Sequence, residues 1–89
     1  MQMRSKTLVV KELLGTHKLE TVACARELIS NIDGNIGIVL DFSGIEYISE
    51  DFAQEVFVNC VKSDPRITLN VVRACDSVEA AIRRVMKVQ

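Results

Sequence analysis

The sequence predicts an α/β fold, ordered β-α-β-α-β-α, with a mainly parallel sheet of three or four strands and helices packed on it. Three observations lead to this. Short β-branched and aliphatic runs occur at residues 7–10, 38–40 and 67–72. Between them, apolar residues recur at three- and four-residue spacing, the period of a helix with one buried face. The connections are long enough to hold a helix, so successive strands should run parallel with right-handed crossovers.

The first strand is the run at 7–10. Gly15 and Thr16 break the chain after it. Thr16 is expected to cap a helix over 16–32, whose Leu19, Val22, Ala25, Ile29 and Ile32 form one apolar stripe. Asp33, Gly34 and Asn35 end that helix with turn chemistry. Ile38, Val39 and Leu40 are apolar on consecutive positions, which predicts a central strand covered on both faces. A second helix over 49–63 buries Phe52, Val56, Phe57, Cys60 and Val61 and stops at Asp64 and Pro65. After the third strand, Asp76 is expected to cap a third helix with Glu79 as its capping-box partner. Val78, Ala81, Ile82, Val85 and Met86 should face inward, with Arg83, Arg84 and Lys87 near the helix C-terminus, where cations favour the dipole. No repeat, low-complexity tract or linker interrupts residues 1–89, so a single domain is expected.

Composition narrows the function classes. The chain has 89 residues, 48% hydrophobic and 26% charged, with a net charge of −1. That balance argues against a general nucleic-acid binder, and the lack of tryptophan leaves little for a base-stacking platform. Cys24, Cys60 and Cys75 are far apart, odd in number and without C-x-x-C spacing. They read as small apolar residues in a reducing compartment, so a cytoplasmic location is expected, with no metal site. No apolar run is long enough to span a membrane, and the first residues do not form a signal peptide.

The near-zero net charge hides a dipolar chain. Residues 27–61 carry Glu27, Asp33, Asp41, Glu46, Glu50, Asp51 and Glu55 and no lysine or arginine. Beyond them Lys62, Arg66, Arg73, Arg83, Arg84 and Lys87 outnumber the acids. Asp41 ends the central strand, and Glu46, Glu50 and Asp51 lie at the start of the next helix. In open α/β sheets this is the end where ligands bind. An acidic cluster there would steer a basic surface, although acids are also favoured in any first helical turn.

Residues 39–55, VLDFSGIEYISEDFAQE, resemble the signature of the STAS superfamily, which includes the bacterial anti-sigma factor antagonists. That signature is an apolar strand ending in Asp, a small-Gly turn, a β-branched or aromatic pair, and Asp-Ser-Ser-Gly opening a helix. The branch it resembles most is the STAS-like domain of unknown function, with Phe after the strand Asp and a Ser-rich step before Phe-Ala. Here these are Asp41-Phe42 and Ser49-Glu50-Asp51-Phe52-Ala53. The resemblance implies a STAS-like sandwich over residues 1–89. It also implies a non-catalytic regulatory module for signal transduction, without cofactor. Its protein partner would be a GHKL-type ATPase, a kinase or a related regulator. In the family a serine at this helix start is phosphorylated and the phosphate breaks the complex. Matched on the apolar residues, Ser49 stands at the family's Asp, Glu50 at its phosphoserine, Asp51 at the second Ser and Phe52 at the Gly. The expected partner-binding set is Glu46, Ser49, Glu50 and Asp51 at the tip, with Ser49 doubling as a candidate phosphosite, joined by Gln54, Glu55 and Asn59 on the outer face of the helix because they fall off the stripe of Phe52, Val56 and Cys60. From the residues alone, Ser49 is first an N-cap and Phe52 first a core residue.

Two other readings stay open. Asp41 with Glu46 or Asp51 would suit Mg²⁺ and a phosphoacceptor role, since hard oxygen ligands fit that ion. A self-associating structural subunit could instead use an exposed sheet edge or join acidic and basic regions head to tail. His17, the only histidine, is read as a surface residue at a helix start with no nucleophile beside it. The four glycines form no phosphate-binding loop.

Overall fold

The computed structural model describes residues 5–32 and 37–87. In chain order these form β1 (Ser5–Val9), α1 (Val10–Leu14), β2 (Lys18–Leu19), α2 (Val22–Ile29), β3 (Gly37–Asp41) and β4 (Tyr47–Ile48). There follow α3 (Glu50–Gln54), a π-helical turn (Glu55–Asn59), α4 (Cys60–Ser63), β5 (Thr68–Val72) and α5 (Asp76–Lys87). The main sheet has the order β1-β3-β5, and both its pairings are parallel. A second, two-stranded parallel sheet pairs β2 with β4.

The mixed α/β class, the three long strands and their parallel pairing match the sequence expectation. Several details differ. The expected helix over 16–32 is shorter, and it begins at Val22 because the hydroxyl of Thr21, not Thr16, accepts from the amide of Cys24 at 3.2 Å. Thr16 instead makes a local turn with the backbone of Lys18. The chain before it is already helical in α1, which ends where Gly15 takes φ +68, a left-handed conformation that glycine adopts without strain. His17 therefore precedes the short strand β2 rather than starting a helix. The turn expected at Asp33, Gly34 and Asn35 lies outside the described residues.

The central strand is not covered on both faces. Ladder partners Leu8, Leu40 and Val71 share the inner face, where Leu8 and Leu40 are buried. On the outer face Thr7 and Asn70 are exposed and Val39, between them, is only half-buried. The three-residue apolar run therefore marks strand propensity at Val39 and burial at its two neighbours. At the third helix, Asp76 is the first helical residue rather than the cap. The carbonyl of Cys75 accepts from the amide of Glu79 at 2.9 Å, which puts Cys75 in the cap position. Met86 is 54% exposed instead of inward, while Val78, Ala81 and Val85 fill the core.

The core lies between the inner sheet face and the long helical run from Glu50 to Ser63. Phe42, Phe52, Val56, Ile38 and Leu40 are all fully buried there. The rings of Phe42 and Phe57 sit 6.4 Å apart and tilted, a separation at which aromatic edges and faces attract. Within the run the amide of Cys60 bonds back to the carbonyl of Glu55, five residues earlier, which is the π-helical pattern. Burial, with the nearby carboxylates of Asp64 and Glu55, pushes the Cys60 thiol up from its ordinary value. Cys24 is half-buried and Cys75 is exposed, so only Cys60 is the small buried residue that the sequence led one to expect of all three.

A candidate partner-binding tip at the start of α3

The tip is built from the loop that leaves β3. Asp41 is nearly buried at the strand end, and both its carboxylate oxygens are engaged. Oδ1 accepts from the amide of Ser43 at 2.9 Å, and Oδ2 accepts from Arg73 Nη1 at 3.1 Å. Arg73 takes φ +54, a left-handed conformation uncommon outside glycine, at the point where β5 gives way to α5. Gly44 follows at φ +79, where a Cβ would come 2.9 Å from the Lys11 side chain. The loop then turns back through Ile45, which is buried, so that Glu46 and Tyr47 emerge on the surface.

Three hydrogen bonds hold the next residues against the first half of the chain, and a fourth caps the helix. The amide of Glu46 donates to the carbonyl of His17 at 2.8 Å, and the amide of Ser49 donates to the carbonyl of Leu19 at 2.8 Å. The Ser49 hydroxyl donates to the carbonyl of Glu20 at 2.9 Å and accepts from the amide of Phe52 at 3.1 Å. Ser49 is thus the N-cap of α3, as its position before an acidic first turn predicts. Its hydroxyl hydrogen is committed as well. A phosphoryl group on that oxygen would remove the bond to Glu20 and set new negative charge beside a carbonyl oxygen and two carboxylates. Ser49→Ala is expected to lower stability by about 1–2 kcal/mol, the cap and the Glu20 bond being lost together. Ser49→Asp keeps a cap acceptor and should recover part of that loss in urea unfolding; equal stability of Ser49→Ala and wild type would refute this role.

The acids predicted for the site come together only in part. Glu46, Glu50 and Asp51 are exposed around the helix start. Glu46 lies 3.2 Å from His17 Nε2, and Glu50 accepts from Arg84 Nε at 3.1 Å. Both pairs are exposed at each end and contribute little to stability. Gln54 and Glu55 sit one turn further along and are half-buried, and Glu55 is bonded to Asn59 Nδ2 at 2.9 Å. They form the flank of the tip rather than its crown. Asp41 stands behind the tip, and a cation there would have to displace Arg73. Among the described residues, no three His, Cys, Asp or Glu side chains converge in a way that could hold a metal ion.

One residue of the tip was not singled out from the sequence. Tyr47 is 42% exposed, one of two large hydrophobic side chains exposed to that degree among the described residues. Its alternation with buried Ile48 in β4 is the signal that places it outward. The tip therefore presents an aromatic ring bordered in sequence by Glu46, Glu50 and Asp51, on backbone held by the β2–β4 pairing.

A family model, the STAS-like domain of unknown function, matches residues 25–79, more than half of the chain, and includes the whole tip from Asp41 to Asp51. The chain belongs to that family. The STAS-like match begins inside α2 and ends in the first turn of α5, so it covers β3, the tip, the long helical run and β5. Comparison with curated proteins and with solved structures returned no match. No helix among the described residues of this STAS-like chain is long and apolar enough to cross a membrane.

Proposed function

We propose that this STAS-like domain is a non-catalytic regulatory module that binds another protein through the tip at the start of α3. The observation that carries the reading is Tyr47 exposed beside Glu46, Glu50 and Asp51 on backbone pinned to residues 17–20. Exposed tyrosines on rigid backbone are common anchors of protein interfaces, because they bring contact area at little entropic cost. The surrounding carboxylates favour a partner with a basic patch, and they would speed its approach. A GHKL-type ATPase, kinase or related regulator is the partner class that the family resemblance supports. Glu50 stands where the family phosphoserine is expected and already carries negative charge, and Ser49 serves as the cap. Partner choice in this chain would then rest on a permanent charge rather than on a reversible phosphate.

The test is capture of partners from the native cell extract on wild-type protein, on Glu50→Arg/Asp51→Arg and on Tyr47→Ala, with the retained proteins identified by mass spectrometry. A regulatory ATPase held by wild type should be lost on the charge-reversed form and weakened at least about tenfold by Tyr47→Ala, a loss of about 1.4 kcal/mol. Binding should also weaken as salt is raised. Retention of the same proteins by all three forms would remove the tip from consideration.

A further inference from the structure

We infer that a pocket between α2 and the π-helical turn binds a small zwitterion, an apolar α-amino acid, through Arg26 and Glu55. α2 packs against that turn, and the cavity between them measures about 270 Å³. Arg26, Ile29, Glu55, Asn59, Cys60 and Ile67 line it, among others. Its volume falls just below the range of about 300–1,000 Å³ usual for drug-sized ligands, so it suits a smaller molecule.

Most polar groups of the lining already have partners. The Asp64 carboxylate accepts from Arg66 Nε at 3.0 Å through Oδ1 and from Arg66 Nη2 at 3.2 Å through Oδ2, so its charge is matched. The Ser63 hydroxyl donates to the carbonyl of Asn59 at 2.9 Å, and Asn59 Nδ2 donates to Glu55 Oε1 at 2.9 Å. Two charges remain. The guanidinium of Arg26 makes no ion pair or hydrogen bond among the described residues, and Asn59 engages only one oxygen of Glu55. Opposite charges thus flank one cavity without pairing. A simple anion would meet Glu55, and a simple cation would meet Arg26. A molecule that carries both charges satisfies each. Its carboxylate takes the parallel N–H groups of the guanidinium, and its ammonium takes Glu55 Oε2. An apolar side chain then covers Ile29 and Ile67.

The helix geometry is an independent support. The amide of Cys60 bonds to the carbonyl of Glu55, five residues back, where a regular helix would use Val56. Single π-helical turns of this kind recur at functional sites. Both end residues of this one, Glu55 and Asn59, line the cavity. Glu55 also belongs to the flank of the tip, but the pocket needs no protein partner, so the inference does not depend on the function proposed there.

The experiment titrates the full chain with L-leucine and follows ¹⁵N amide shifts. The controls are leucinamide, which lacks the carboxylate, N-acetyl-leucine, which lacks the ammonium, and glycine, which lacks the apolar side chain. Leucine should move the amides of Ile29, Asn59 and Cys60 in a saturable way and bind at least about tenfold more tightly than any control. In Arg26→Gln it should lose its advantage over leucinamide, and in Glu55→Gln its advantage over N-acetyl-leucine. Neither residue is in the core, and urea midpoints check that both variants fold. Equal binding of leucine and a control, or no saturable shift with leucine, overturns the inference. So does tighter binding of N-acetyl-leucine, because the pocket would then hold a plain anion.

Discussion

Phe52→Ala is expected to cost the domain about 3–5 kcal/mol, the range for deleting a fully buried aromatic ring from a core. Phe52 is fully buried, and its amide also receives the Ser49 cap. A chain of this length holds only about 4–13 kcal/mol of stability in total, so the variant should be partly unfolded at room temperature. Urea unfolding followed by circular dichroism measures it directly. Phe52→Leu, which leaves much of the volume filled, should lose far less. A Phe52→Ala protein within about 1 kcal/mol of wild type would mean that the ring is not packed as described. Because Phe52 stands where the resemblance places a family glycine, the result also separates its core role from any role in partner contact.

Asp41→Ala should be the next most damaging change, at about 1–3 kcal/mol, because it strips a nearly buried turn of its acceptor and leaves the Ser43 amide without one. Asp41→Asn keeps a carbonyl oxygen for that amide and loses only the charge that faces Arg73. Arg73 is 68% exposed, so the ion pair is screened and the asparagine form should lose no more than about 1 kcal/mol. The two variants, compared by thermal or urea unfolding at several salt concentrations, tell a turn-forming aspartate from a charge-bearing one. If asparagine and alanine proved equally harmful, the ion pair and not the turn would be what Asp41 supplies. Mg²⁺ should leave the unfolding midpoint unchanged, since Asp41's oxygens already have partners; a stabilising shift with Mg²⁺ would revive the phosphoacceptor reading.

The three strands of the main sheet and the long helix from Glu50 to Ser63 were legible in the sequence because their apolar residues repeat at a clear period. Ser49 as a cap was legible for the same local reason, a small hydroxyl residue followed by two acids and then Phe52. Elements set by tertiary contact were not. β2 and β4 are two residues each and exist only through their pairing with one another. Thr16 and Thr21 are both plausible caps by residue type. The choice between them follows from the β2 pairing, which keeps the chain extended through Leu19. Val39 looked buried because burial and strand propensity select the same side chain. At the tip, Glu46, Glu50 and Asp51 were found from charge alone. Their partners His17 and Arg84 come from distant parts of the chain, and Tyr47 needed the alternation of β4 to be placed outward.

The Ser49 hydroxyl reaches a carbonyl 29 residues earlier in the chain, and that span ties recognition to durability. The tip cannot come loose without also releasing residues 17–20 ahead of α2. The amides of Glu46 and Ser49 should therefore exchange with solvent only in openings that involve both halves of the chain, and not in a private flutter of one loop. A protein gripping the tip would hold both halves at once. Its affinity would appear as slower hydrogen exchange in β2 as well as in β4, and as a melting temperature that climbs with partner concentration.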